Sequence, residues 1–325
     1  MEWFKEISDF SSLEEKISID RGIFLVGNEN QTKTQSNVSE SFGYQWSKRN
    51  VFDTKETENH MKEWLTERFG TPDNYISKKQ ERPIIMLDAG CGASMSALSY
   101  FGKELLVNVR YVGIDVSKSV FVAKEKFDKL KLKNSCFIKS DLNTKIFNNQ
   151  SVDLIFSEGV LHHTDNAEQS FYNLCKLLKP GGKFVFYIYK KKAPIREFSD
   201  DFIREAIKGM TPEEKYQALF PLTKLGKTLG ELNLEVNISE PIDFLGIPAG
   251  QINIQRLFFY YIFKCFYKSS WTTEQMNLTN FDWYSPINCS RHTTKEVGKW
   301  IAKAKMKLLH EYEDDSGISY VVQTL

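Results

Sequence analysis

The chain has 325 residues, 41% of them hydrophobic, with 43 Lys and Arg against 42 Asp and Glu. That length holds one large domain or a domain with a sizeable insertion, and the near-zero net charge offers no field to draw in nucleic acid or an anionic membrane. No stretch reaches the roughly 18–20 apolar residues of a membrane span, and five cysteines without Cys-x-x-Cys spacing argue for reduced thiols in the cytoplasm and against a metal site.

The charged start Met1-Glu2-Trp3-Phe4-Lys5-Glu6 lacks the apolar core of a signal peptide. Residues 1–37 read as an N-terminal arm, with Ile23-Phe24-Leu25-Val26 as a short strand and residues 28–39 as a polar loop. Ser41-Phe42-Gly43-Tyr44-Gln45-Trp46-Ser47-Lys48-Arg49 is aromatic and polar at once, which suits either a surface turn or a latch folding over a ligand. Residues 56–69 have helical spacing, with Met61, Trp64 and Leu65 on one face. Ile84-Ile85-Met86-Leu87-Asp88-Ala89-Gly90-Cys91-Gly92 then reads as a buried strand turning sharply into a helix. Its glycines permit a tight turn and leave room for a ligand against the main chain. A dinucleotide fingerprint would need a third glycine where Met95 stands.

The second strand, Tyr111-Val112-Gly113-Ile114-Asp115-Val116, ends in an acid 27 positions past Asp88. Doubly wound folds place a ribose-binding carboxylate at a similar distance, because a carboxylate accepts both hydrogen bonds of a vicinal diol. Residues 120–130 are a lysine-rich amphipathic helix whose charges read as a solvated face. A third strand at 135–139 runs into Ser140-Asp141-Leu142, and a fourth at 152–156 into Ser157-Glu158-Gly159-Val160-Leu161-His162-His163-Thr164. A helix over 166–178 stops at Lys179-Pro180-Gly181-Gly182, and a fifth strand spans 183–189.

Strands alternating with helices make a parallel, doubly wound sheet, which binds ligands at the carboxyl ends of its strands. The flagged acids and loops all fall at such ends. Residues 191–290 break the rhythm, with helix starts expected at Ser199-Asp200 and at Thr211-Pro212-Glu213-Glu214. The aromatic run over 257–267 reads as the core helix of an inserted cap or as a homodimer face, an apolar acceptor site being the rarer alternative. Asp282-Trp283-Tyr284 and Arg291-His292-Thr293 read as pocket-lining loops. A helix over 294–303 and strands at 306–311 and 318–322 resume the sheet.

Asp-x-Gly-x-Gly after an apolar strand resembles the class I S-adenosylmethionine (SAM) methyltransferases, and the likeness extends from about Ser41 to the end. Segments at 42–46, 159–164, 178–182, 246–250, 282–284 and 291–293 are similar to a bacterial group acting on glycans or secondary metabolites. The resemblance implies a Rossmann-like sheet of seven strands, the last pair antiparallel. Its domains would be a SAM-binding core at 38–190, a mostly helical cap at 191–290 after the fifth strand, and a C-terminal part of the core at 291–325. It also implies roles: Asp88, Gly90, Cys91 and Gly92 at the methionine end of SAM, Asp115 and Val116 at the ribose, Asp141 and Leu142 at the adenine. Ser157 and Glu158 would border the sulfonium. Many relatives have glycine where this chain has Ser94.

The expected reaction is methyl transfer to an oxygen or nitrogen of a small molecule, without nucleic acid or a membrane span. His162, near where the methyl group should point, is the first candidate base and His163 the second, with Tyr44 or His292 assisting from the latch or cap. Trp46, Tyr284, Arg291 and His292 are candidates for the acceptor side. A nucleic-acid methyltransferase and a non-catalytic SAM-binding partner protein remain as alternatives.

Overall fold

The computed structural model describes residues 2–9, 17–27, 32–48, 54–77 and 82–325. Apolar runs too short to be helices become strands, and the amphipathic segments between them cross back over the sheet. In chain order the elements begin α1 (Glu2–Ile7), β1 (Ile17–Asp20), β2 (Ile23–Val26), α2 (Lys33–Ser47) and α3 (Lys55–Phe69). The wound core follows as β3 (Ile84–Ala89), α4 (Met95–Leu106), β4 (Val109–Asp115), α5 (Ser119–Lys129), β5 (Ser135–Lys139), β6 (Val152–Glu158), α6 (Ala167–Cys175) and β7 (Leu178–Tyr189). Then come α7 (Pro194–Ile207), α8 (Pro212–Ala218), α9 (Phe220–Leu232), the hairpin β8 (Glu235–Ile238) and β9 (Gly250–Asn253), α10 (Ile254–Tyr261) and α11 (Thr273–Tyr284). The chain closes with α12 (Thr294–Lys303), β10 (Met306–Glu313) and β11 (Gly317–Thr324).

The main sheet runs β1-β2-β5-β4-β3-β6-β7-β11-β10. From β5 to β7 every pairing is parallel, while β11 lies antiparallel between β7 and β10. Seven strands were expected, and the sheet has nine. The extra pair is the β1–β2 hairpin, which turns at Arg21 and Gly22, both with positive φ. Such a turn matches the twist of paired strands. β2 joins β5 in parallel, and Trp3, Phe4 and Ile7 of α1 are buried in the core. The described part of residues 1–37 is therefore integral to the fold, where an arm was expected.

Two further expectations change for local reasons. Of the loop expected at 28–39, residues 28–31 lie outside the described residues, and the rest enters helix α2. Thr32 caps it by accepting from the Gln35 amide at 3.1 Å, and Val38, Ser41 and Gln45 bury one side. That capping and burial outweigh the cost of Gly43 within the helix. Residues 41–47 are thus helical and Lys48 caps the helix, where a turn or latch was expected; Arg49 lies outside the described residues. Likewise α7 begins at Pro194, in the first turn, ahead of the start expected at Ser199-Asp200. Asp200 instead sits buried in the helix interior, accepting from Arg196, the Lys264 amide, Trp283 and Tyr284. No helix among the described residues is long and apolar enough to cross a membrane.

Ser94 occupies the left-handed region (φ +54°), where a Cβ is strained. Its hydroxyl compensates by bonding the Tyr111 hydroxyl at 2.9 Å. Ser94→Gly removes both the strain and that bond, and its net effect should stay within about 1 kcal/mol. Ser94→Ala keeps the strain and loses the bond, so urea unfolding should show it about 1–2 kcal/mol less stable than the glycine variant. Equal stabilities would show that the left-handed conformation costs a side chain nothing at this position.

Candidate active site

The carboxyl ends of β3, β4, β5 and β6 share one rim, and a cavity of about 300 Å³ lies along it. The turn after β3 is pinned across the neighbouring strand: the amides of Gly90 and Cys91 both donate to the Ile114 carbonyl, at 2.8 and 2.9 Å. Gly90 has φ +83°, which only glycine adopts without strain. The Gly92 amide donates to Asp115 at 2.8 Å, and the other oxygen of that carboxylate takes the Ser117 amide and hydroxyl. Gly90, Cys91, Gly92, Asp115, Val116, Asp141, Leu142 and Glu158 all line the cavity.

Asp88 and Ser157 stand behind this rim. Asp88 is 3% exposed and accepts a hydrogen bond from Tyr111, while Ser157 donates to the Ala89 carbonyl at 2.9 Å. Each ties the end of β3 to a neighbouring strand.

Helix α2 covers the rim. Gln35, Val38, Phe42, Gln45 and Trp46 present one helical face to the cavity. Gln35 donates to the His163 carbonyl at 2.9 Å, Ser39 to the Val116 carbonyl at 3.0 Å, and Gln45 to Asp282 at 3.2 Å. The helix thereby staples the loops after β4 and β6 to α11. Tyr44 leaves the cavity to Trp46; its ring packs on Tyr216 and Phe281, and its hydroxyl donates to Glu213 at 2.5 Å.

The histidines separate. His163 lines the cavity, and its Nδ1 lies 2.6 Å from the Asn288 carbonyl. A carbonyl only accepts, so Nδ1 carries the proton and Nε2 keeps its lone pair; burial lowers the ring's pKa to about 4. His162 does not line the cavity. It is fully buried behind Tyr189, with rings stacked at 3.5 Å, and its Nδ1 accepts from the Tyr189 amide at 3.2 Å. Nε2 then carries the proton, buried without a partner. The base expected at His162 has no path to an acceptor.

Tyr284, Arg291 and His292 are also placed elsewhere. Tyr284 donates to Asp200 at 2.6 Å, and Arg291 clamps Glu197 and Asp201 at 2.8 and 2.7 Å. His292 packs on Trp300 and bonds Ser290. All three hold the segment after α11 against α7 and α12. The residue of that stretch facing the cavity is Asp282. It lies on a helix, where positions two apart point to opposite sides; reading the stretch as a loop hid this. His60, Met61, Trp271 and Thr279 also line the cavity and were missed, although Thr57, His60 and Met61 do share one face of α3.

A second cavity of about 290 Å³ shares Glu158, Tyr187, Tyr189, Trp271 and Asp282 with the first. Lys192, Arg196, Lys264 and Trp283 line it alone.

The electrostatics of the first cavity are one-sided. Among the described residues that line it there is no lysine or arginine, and burial keeps His60 and His163 neutral at pH 7. Burial, helped by the nearby Asp115 and Glu158 and opposed by the Tyr111 bond, raises the Asp88 carboxyl to about 7. Burial likewise brings Glu158 to about 7, with Asp282 adding to the rise and the Ser96 hydroxyl opposing it. Clustered acids with no lysine or arginine lining the same cavity form a site that gains by taking up a cation.

Comparisons with known proteins agree with this geometry. Residues 80–222 match the family model described as a methyltransferase domain. Phosphoethanolamine N-methyltransferase 1 of Arabidopsis thaliana is 31% identical over 137 residues, 40% of this chain and 26% of that protein. Phosphoethanolamine N-methyltransferase 2 of Caenorhabditis elegans is 32% identical over 107 residues, 33% of this chain and 24% of that protein. The chain thus spans about a quarter of the length of these relatives. Burkholderia thailandensis 1,6-didemethyltoxoflavin-N1-methyltransferase, solved with S-adenosylhomocysteine (SAH), aligns over 94% of this chain and 97% of its own at 11% identity and a TM-score of 0.48. Residues 80–222 are thus similar to a methyltransferase domain.

Proposed function

We propose that the whole chain is a methyltransferase moving the methyl group of SAM to an oxygen or nitrogen of a small molecule. The observation that carries the reading is the acid-lined, cation-free cavity built on the glycine turn, at the strand ends where a wound sheet binds nucleotides. SAM is a nucleoside with a sulfonium cation, so it matches both features.

In this reading the turn at 90–92 takes the methionine end, Asp115 and Val116 the ribose, and Asp141 and Leu142 the adenine. Asp88 and Ser157 act by holding the rim in shape. When bound, SAM supplies an electrophilic methyl group; the chain's residues align the acceptor, exclude water and take its proton. Trp46 and Phe42 of α2 close the cavity from solvent. The acceptor lies where the two cavities meet, between Tyr189, Trp271, Asp282 and Glu158. Glu158 is the proton acceptor, because its pKa of about 7 matches neutral pH and it lines both cavities. His163 is too weak a base for that role but offers Nε2 as a hydrogen-bond acceptor.

The charge argument makes a distinguishing expectation. SAM carries a sulfonium and SAH a neutral sulfur, so ionising Glu158 should favour SAM alone. A carboxylate about 5 Å from a unit charge gains about 3 kcal/mol at an effective dielectric of about 20. Only roughly a tenth of Glu158 is ionised one unit below its pKa, so the SAM-to-SAH affinity ratio should rise about tenfold between pH 6 and pH 8. Isothermal calorimetry checks it. A ratio independent of pH would remove Glu158 from the sulfonium's surroundings, and no heat with either compound would end the reading.

A further inference from the structure

The basic end of the second cavity lies outside the lining of the first. There, Lys192 Nζ, Arg196 Cζ and Lys264 Nζ stand 5.7, 5.3 and 4.9 Å from the centroid of one ring, Trp283. Arg196 has a bonded carboxylate, Asp200 at 2.8 Å, whose oxygens are also taken by Trp283, Tyr284 and the Lys264 amide. Lys192 Nζ donates to the Asp315 and Ser316 carbonyls at 2.5 and 2.7 Å, which supply no formal charge. Lys264 Nζ has no hydrogen-bond or ion-pair partner among the described residues, although only 8% of Lys264 is exposed.

Cations held this close out of water are costly unless an anion completes the group. Burial, with Arg196 alongside, depresses Lys264 to about 8 even though Asp282 and Asp200 pull the other way. Burial, Arg196 and Lys264 together bring Lys192 to about 7, against the pull of Asp314. The acids facing this cavity are not its missing anion. Asp282 attracts Lys264 only from a distance, neither Glu158 nor Asp282 forms an ion pair with either lysine among the described residues, and Asp315 meets Lys192 through its carbonyl.

We propose that the methyl acceptor is an oxyanion-bearing small molecule, a carboxylate or a phosphate monoester, whose anion is held by Lys264 and Lys192 beside Trp283 while its nucleophile reaches the Glu158 and Asp282 end. Tyr189, Trp271 and Phe259 give the chamber flat apolar walls, so the body between the two ends is apolar and planar. The assignment rests on the methyltransferase reading of the adjoining cavity and adds the acceptor's chemical class to it.

The test uses the full chain saturated with SAH at pH 6.5, titrated in a calorimeter with 2-naphthoate, 2-naphthyl phosphate and the neutral 2-naphthamide. At least one anion should bind ten times more tightly than the amide, and which one does so identifies the acceptor's oxyanion. Lys264→Met and Lys192→Met should each bring that preference below threefold with SAH affinity unchanged. The proposal falls if the amide binds as well as both anions. It also falls if none of the three binds to SAH-loaded protein, or if the preference survives Lys264→Met. The wild-type comparison holds whether or not a variant folds. Absence of heat with SAH itself would instead remove the methyltransferase reading, and this assignment with it.

Discussion

Glu158→Gln is expected to cut turnover by a factor of about 10² or more at pH 8, as loss of a general base does, while SAH affinity changes less than about threefold. The wild-type kcat/KM for SAM should rise with pH through about 7, where Glu158 of the free protein ionises, and that limb should vanish in the variant. The same substitution should stabilise the ligand-free protein. Folding raises this carboxyl from 4.5 to about 7. Its contribution to stability is therefore fully present below pH 4.5 and lost as pH rises through 7, because the native state must then ionise a group largely withdrawn from water. Above pH 7 the penalty is on the order of 3 kcal/mol. Glutamine keeps the shape and accepts from Ser96 without ionising. Scanning calorimetry should find the variant melting several degrees higher at pH 8 and unchanged near pH 4. Unchanged turnover would move the base elsewhere; an unchanged melting point at pH 8 would mean the carboxyl is not raised.

Gly90→Ala is expected to weaken SAM binding by a factor of about 10² and to destabilise the fold by about 3 kcal/mol. Backbone conformation and space both oppose it. A Cβ at φ +83° would lie 2.3 and 2.4 Å from the two methyl carbons of Val160 and 2.8 Å from its Cβ. Val160 belongs to the loop that carries Glu158 and His163, so relieving the clash pushes two walls of the cavity apart. Gly159→Ala separates the two causes: Gly159 also has positive φ (+73°), yet an added Cβ there meets nothing within 4 Å. It should cost about 1 kcal/mol from conformation alone. Adding Val160→Ala to Gly90→Ala removes the methyl clash and should recover part of both losses, measured by urea unfolding and SAM titration. A Gly90 variant no worse than the Gly159 variant would show that Val160 yields freely.

Much of the wound sheet was legible because each signal is local. A strand buried on both faces must be an apolar run, and Ile84 to Leu87 is one; a turn at positive φ wants glycine, and Gly90 and Gly92 sit there. Capping boxes at Thr211 and Thr293 start helices where their side chains reach back to the backbone. Helix α2 was harder to read because Gly43 and a polar surface mask a pattern that only becomes apolar against the cofactor rim. The β1–β2 hairpin was missed because its partner, β5, lies far along the chain.

What the sequence determined by itself is the frame: the strand–turn–helix order and the rim where the acids gather. Those follow from periodicity and turn chemistry within a few residues. The tertiary structure decided which side chains reach the ligand. His162 turns in behind Tyr189, Tyr284 bonds Asp200, and Asp282 rather than its neighbours meets the cavity. Which way a side chain points depends on what packs against it, and in each case the partner comes from another element: β7, α7 or α2.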